Sequence, residues 1–220
     1  WDNASSVLVG DFLYSRAFQM LVDTGHMLVM DSLSKATNRI AESEVLQLLH
    51  VRNPDTTEAD YLQVILGKTA MLFEAAAHTG AQLAHIDCDQ IEAMRKFGRH
   101  FGIAFQLIDD LMDYTGDLVT MGKNVGDDLA EGKPTLPLIH AMRNSTGQQR
   151  QLIRTAILQG STANFQTIND IIQNCGSIDY TLSIATSETN HALNYLASIP
   201  ESPYRDSLEQ LCHLALKRHH

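Results

Sequence analysis

The chain has 220 residues, 44% apolar and 19% charged, with 13 glycines and 5 prolines. That composition fills the core of one substantial domain and excludes disordered and fibrous classes. Sixteen Lys and Arg against 26 Asp and Glu leave a net charge of −10, so nucleic acid is not an expected partner.

Helical periodicity runs from the first residues. Val7, Leu8, Phe12, Tyr14, Phe18, Leu21 and Val22 recur at threes and fours, and Gly25 ends that run. A second pattern passes through Leu28, Leu33, Ile40, Val45, Leu48 and Leu49 to the turn Arg52-Asn53-Pro54-Asp55. Asp55 or Thr57 is the expected N-cap of the next helix, with Glu58 as a capping-box partner for Asp55. That helix is expected to continue unbroken through Tyr61, Val64, Ile65, Met71, Leu72 and Phe73 to Leu83. Asp89 to about Tyr114 forms the next long element. Its Gly98 and Gly102 share one face and read as a tight helix crossing.

From Gly116 to Gly132 the pattern breaks, and helices resume beyond Pro134. Thr146 with Gln149 is a capping box, and Ser202-Pro203 is an N-cap followed by proline at the first helical position. No stretch alternates at period two for long enough to build a sheet. Residues 1–220 are therefore read as a single all-α domain, a bundle of long antiparallel helices around a central cavity.

Cys88, Cys175 and Cys212 are far apart, lack metal-ligand spacing and suit a reducing compartment. No charge-free apolar run reaches the roughly 18 residues of a membrane span, and no basic-then-apolar signal pattern opens the chain. The cytoplasm is the expected location. The histidines at 26, 50, 78, 85, 100, 140, 191 and 213 read as dispersed, without metal spacing, and the terminal His219-His220 pair is assigned no function.

The informative segment is Phe105-Gln106-Leu107-Ile108-Asp109-Asp110-Leu111-Met112-Asp113-Tyr114. Asp109 and Asp113 share a helix face, and Asp110 reaches the same side through its i+3 relation to Asp113. Like charges at that spacing repel, so an isolated helix gains nothing from them. A hard divalent cation between them accounts for the grouping: Mg²⁺ takes oxygen ligands and is often completed by substrate phosphate. A solvated acidic face is the alternative. Lys68, Lys123 and Lys133 could supply cationic groups to the remaining oxygens of a diphosphate. No HExxH, GxSxG, Walker A or GxGxxG motif offers a competing chemistry.

Four segments resemble the trans-isoprenyl diphosphate synthases, and among them the long-chain, octaprenyl type. They are Gly67-Lys68-Thr69, the Phe105 to Asp113 run, Gly122-Lys123-Asn124-Val125-Gly126-Asp127-Asp128-Leu129, and Glu131-Gly132-Lys133-Pro134-Thr135-Leu136-Pro137-Leu138. The opening Asn3 to Asp11 is similar to the helix that follows the family's first catalytic segment.

The resemblance implies Mg²⁺-dependent condensation of isopentenyl diphosphate onto an allylic diphosphate such as farnesyl diphosphate. The product would be a long-chain, octaprenyl-type diphosphate for ubiquinone or menaquinone side chains. It assigns Asp109, Asp110 and Asp113 to metal and Lys68, Asp109 and Lys123 to catalysis. Substrate contacts fall to Lys68, Thr69, Phe105, Gln106, Lys123 and Lys133. It also implies a homodimer through residues 5–50 and a channel wall to which Phe12, Tyr14, Phe18 and Met20 contribute.

On the family pattern the first aspartate-rich motif, an Arg pair and the basic isopentenyl-binding residues would precede Trp1. The chain is thus expected to be the C-terminal two thirds of the enzyme and inactive by itself. A regulatory subunit of a heteromeric prenyl synthase and a terpene cyclase stand as alternatives.

Overall fold

The computed structural model describes residues 2–84, 86–115 and 125–218. Among these the chain is helical throughout, with no strand. The helices, in chain order, are α1 (Asn3–Asp23), α2 (Met27–His50), α3 (Glu58–Ile65), α4 (Met71–Leu83), α5 (Cys88–Thr115) and α6 (Asp127–Glu131). They continue with α7 (Leu136–Asn144), α8 (Gly147–Gln159), α9 (Phe165–Asn174), α10 (Ser177–Leu196) and α11 (Pro203–Lys217). The all-α expectation holds.

Local chemistry sets the boundaries. Asp2 caps α1 by accepting the Ser5 N–H at 2.7 Å, and Gly25, at φ 65°, follows its end. The α3 cap falls on Thr57, which accepts from the Asp60 N–H while Asp60 accepts from Thr57, so the box partner is Asp60 and not Glu58. Asp55 lies outside the helix, and Arg154, reaching over from α8, holds both its carboxylate oxygens. The capping box at Thr146–Gln149 and the Ser202 N-cap followed by Pro203 form as read.

The helix expected from Tyr61 to Leu83 is interrupted. Residues Leu66–Ala70 form one π-helical turn between α3 and α4. A single wide turn of this kind leaves the i→i−4 ladder and re-aims the side chains it carries. Here it carries Lys68 and Thr69.

The spine is α5, with a core cluster against each half. Leu107, Ile108, Leu111 and Met112 pack with Tyr61, Ile65, Leu136, Ile139 and Ala185. Nearer the N-terminal end, Phe97 packs with Ala192, Leu196 and Cys212. A third cluster joins Tyr114 to Leu129, Leu138, Ile153, Ile157, Ile168 and Ile172. These apolar contacts leave the C-terminal half of α5 a polar flank towards the π turn and α6.

Candidate active site

On that flank lies a cavity of about 450 Å³. Its wall carries Lys68 and Thr69 from the π turn, Gln106, Asp109, Asp110 and Asp113 from α5, and Asp127, Asp128, Glu131 and Lys133 from α6 and its end. Segments far apart in sequence are thus brought to one space. Phe105 does not line it; its ring packs with Phe73 at 5.3 Å and under the Arg218 guanidinium at 4.9 Å. Lys123, Gly122 and Asn124 lie outside the described residues.

The three aspartates of the α5 motif differ in surroundings. Asp110 is buried; Tyr61 Oη donates to its Oδ2 at 2.6 Å and Gln106 Nε2 to its Oδ1 at 2.6 Å. Thr69 Oγ1 donates to Gln106 Oε1 at 2.8 Å, so one polar chain ties the π turn to α5 and α3. Burial, and after it the nearby Asp128, push the Asp110 carboxyl far above the usual carboxylate range. Asp113 accepts from three successive backbone N–H groups, those of Gly126, Asp127 and Asp128, each at 3.1 Å. Burial raises its pKa and those three bonds oppose the rise. Asp113 therefore anchors the N-terminus of α6, where exposed N–H groups attract a carboxylate. Asp109 projects with its side chain 38% exposed, and Arg218 lies 4.0 Å from its Oδ1.

The cations are already paired to acids. Lys68 Nζ is 3.1 Å from Glu44 Oε1. Lys133 meets Glu131 and lies 3.5 Å from Asp128; burial disfavours its charge, but the two acids outweigh that and raise its pKa. Gly126 makes the α6 entry possible: its φ of 92° is a left-handed conformation, and a Cβ there would lie 2.7 Å from the Phe165 ring.

Sequence reasoning missed Tyr61, Gln47, His50 and the acids of α6 as wall residues. Tyr61 did carry a signal, since a tyrosine inside an apolar stripe needs a partner for its hydroxyl. The reading also missed that His100, Glu188 and His191 converge, a cluster on α5 and α10 that does not line the cavity. Phe12, Tyr14, Phe18 and Met20 do not line the cavity either; α1 has no buried residue.

Residues 1–175 match the polyprenyl synthetase family. The chain belongs to that family. It is 52% identical over 218 residues to an all-trans-nonaprenyl-diphosphate synthase (geranyl-diphosphate specific) of Rhodobacter capsulatus, covering 99% of this chain and 67% of that protein. Identity to the octaprenyl diphosphate synthase of Escherichia coli is 49%, over 98% of this chain and 67% of that one.

Among solved structures, a Caulobacter crescentus polyprenyl synthase complexed with calcium and isoprenyl diphosphate superposes with a TM-score of 0.94. It is 41% identical, and the match covers 100% of this chain and 68% of that one. A decaprenyl diphosphate synthase from Rhodobacter capsulatus gives a TM-score of 0.92 at 40% identity, again over 100% and 68%. Membership makes the chain a metal-dependent trans-prenyltransferase, condensing isopentenyl diphosphate onto an allylic diphosphate. Among the described residues no helix is long and apolar enough to cross a membrane.

Proposed function

We propose that the cavity binds the allylic diphosphate of a long-chain polyprenyl diphosphate synthase, with farnesyl diphosphate as primer and octaprenyl diphosphate as product. The 49% identity to the Escherichia coli octaprenyl enzyme supports that chain length, beside 52% to the nonaprenyl enzyme, and we propose quinone side chains as the product's use. The observation that carries the site is one wall presenting Lys68 and Lys133 beside the carboxylates of Asp109, Asp127, Asp128 and Glu131. Such a donor set, all oxygen, fits Mg²⁺ better than a softer metal. Bound there, Mg²⁺ supplies positive charge to the departing diphosphate.

The residues divide the remaining work. Asp109, partly exposed and facing the cavity, is the ligand best placed for metal. Asp110 and Asp113, with hydrogen bonds on both oxygens, complete the α5 motif and hold its shape. Lys68 exchanges its ion pair with Glu44 for a diphosphate oxygen, and Lys133 and Lys123 take others. Thr69 and Gln106 keep the π turn in register with α5. We further propose that 1–220 is one domain and that the enzyme is a homodimer. Cys88, Cys175 and Cys212 are all unpaired, which supports a reducing compartment, the cytoplasm.

The test uses the protein as encoded by its gene, with Mg²⁺ in excess. Asp109→Ala is expected to lower turnover by about 10²–10⁴-fold while the circular dichroism stays helical. Lys68→Ala is expected to weaken allylic diphosphate binding by roughly 10–100-fold, and isopentenyl diphosphate binding less. Lys35, paired only with Asp31 on an exposed stretch of α2, is the silent control. Asp109→Ala within threefold of the parent, or Lys68→Ala indistinguishable from Lys35→Ala, would remove the assignment.

A further inference from the structure

His100 of α5 and Glu188 and His191 of α10 each offer one ligand atom, and the three atoms lie within 4.8 Å of one another. His100 Nδ1 is 2.6 Å from Glu188 Oε2. The His100 ring also stacks on Tyr195 at 5.5 Å and lies 5.2 Å from the His191 ring. We propose that these three residues form a second metal site, separate from the catalytic cavity, that takes a late first-row divalent cation, Zn²⁺ foremost.

Donor chemistry is the first argument. Two imidazoles and one carboxylate are the three protein ligands of an open Zn²⁺ site, with water in the fourth position. Imidazole suits zinc, nickel, copper or cobalt and is a poor ligand for Mg²⁺, so the two sites select different ions. Spacing is the second. Glu188 and His191 stand at i and i+3, which puts both on one face of α10. A Glu-x-x-His on one helix facing a ligand on its neighbour is a way helical bundles hold metals. With Zn–N and Zn–O bonds of about 2.0–2.1 Å, a tetrahedral site needs donors ~3.4 Å apart. Rotamer adjustment closes the difference from the spacing found.

Accessibility is the third argument. His100 and Glu188 are half-buried and held by each other, whereas His191 is exposed and leaves a route in for the ion and its water. On binding, the cation takes the place of the hydrogen bond between His100 Nδ1 and Glu188 Oε2, and the imidazole binds it through a ring nitrogen that carries no proton. Lys96, whose Nζ lies 5.2 Å from the Tyr195 ring centroid, is a nearby charge that opposes cation entry, and Glu92 at 3.8 Å offsets part of it.

The position gives the site a consequence. His100 and Asp109 are nine residues apart on α5, about 13.5 Å along the axis and roughly half a turn out of phase. The ion therefore clips α10 to the face of α5 turned away from Asp109. It steadies the helix that carries this aspartate without touching substrate.

The experiment titrates the chelator-treated protein with Co²⁺ and follows the visible d–d bands of the bound ion, then repeats the titration with Zn²⁺ in competition. One four-coordinate Co²⁺ per chain is expected, displaced by Zn²⁺ and not by excess Mg²⁺. His191→Ala and Glu188→Gln should each weaken it by at least tenfold. Zn²⁺ should raise the melting temperature of the parent but not of the variants. Asp109→Ala should bind Co²⁺ as the parent does, which separates this site from the cavity. His191 is exposed, so its truncation leaves the helices in place, and circular dichroism checks this. Absence of the bands, or equal affinity in parent and both variants, overturns the proposal and leaves His100–Glu188 as an ion pair.

Discussion

His140 shows how one side chain can make stability depend on pH. Its Nδ1 is 3.0 Å from Ser177 Oγ, its Nε2 is 3.1 Å from Asn144 Nδ2, and its ring stacks on Tyr180 at 4.2 Å. Burial, and after it the charge of Arg143, lower its pKa below the ordinary 6.5. The unfolded chain then binds a proton before the folded one does, so stability rises with pH across that interval. The contribution is complete above 6.5 and is lost as pH falls through the folded value. Urea unfolding at pH 7.5 and 5.0 is expected to show His140→Gln losing less stability than the parent over that range; an equal or larger loss in the variant would contradict the assignment.

The same scale shows what a linear sequence conceals. Asp109, Asp110 and Asp113 were legible as a group, because like charges on one helix face call for a cation. Their separate surroundings were not legible, since Tyr61 and the N–H groups of 126–128 reach them only through the fold. His100 and His191 look unrelated for the same reason, although Glu188-Thr189-Asn190-His191 carried the spacing in plain view.

At the scale of elements, side-chain caps marked the starts of α3, α8 and α11, and periodicity located the long helices. It failed at Leu66–Ala70, where apolar spacing continues across a turn whose hydrogen bonding has changed. Nothing local marks that turn, because its geometry answers packing from α2 and α5. The crossing of α4 on α5 is where backbone contact decides. A Cβ added at Gly102 would lie 2.6 Å from Ala70 Cα and 3.1 Å from Phe73 Cβ. Backbone at Ala70 cannot yield as a flexible side chain would, and Ala70 closes the π turn that aims Lys68 and Thr69. Gly102→Ala is therefore expected to destabilise by about 1–3 kcal/mol in urea. Gly80→Ala, on α4 with nothing within 4 Å, should be neutral or stabilise by up to ~1 kcal/mol. Similar effects at the two positions would mean that the crossing is looser than its geometry indicates.

At the scale of the molecule, the apolar balance is uneven. The interior clusters lie around α5, yet α1 buries none of its residues. Phe12 is 66% exposed and Leu8 67%, with Val7, Leu13, Tyr14 and Met20 also exposed along the same helix. Leu48 and Leu49 extend this surface on α2, at 70% and 71%. Single exposed leucines are ordinary, but a run of this length is out of proportion for an uncovered surface and supports the proposed homodimer. An isolated helix of about 20 residues is marginal in water without an apolar face to pack, so α1 itself depends on such cover. A second copy of the chain is the economical occupant, because a two-fold axis lets the same surface cover itself. Light scattering at micromolar concentration is expected to give a dimer, twice the 24.4 kDa of one chain. Leu8→Asp with Phe12→Asp should shift it to monomer and lower the helical signal by a fraction of α1. Charge placed inside an apolar interface must be desolvated, and position 8 has no lysine or arginine within four residues to offset it, whereas Arg16 lies one turn from position 12. A parent that stays monomeric through that concentration range would show that α1 needs no second copy.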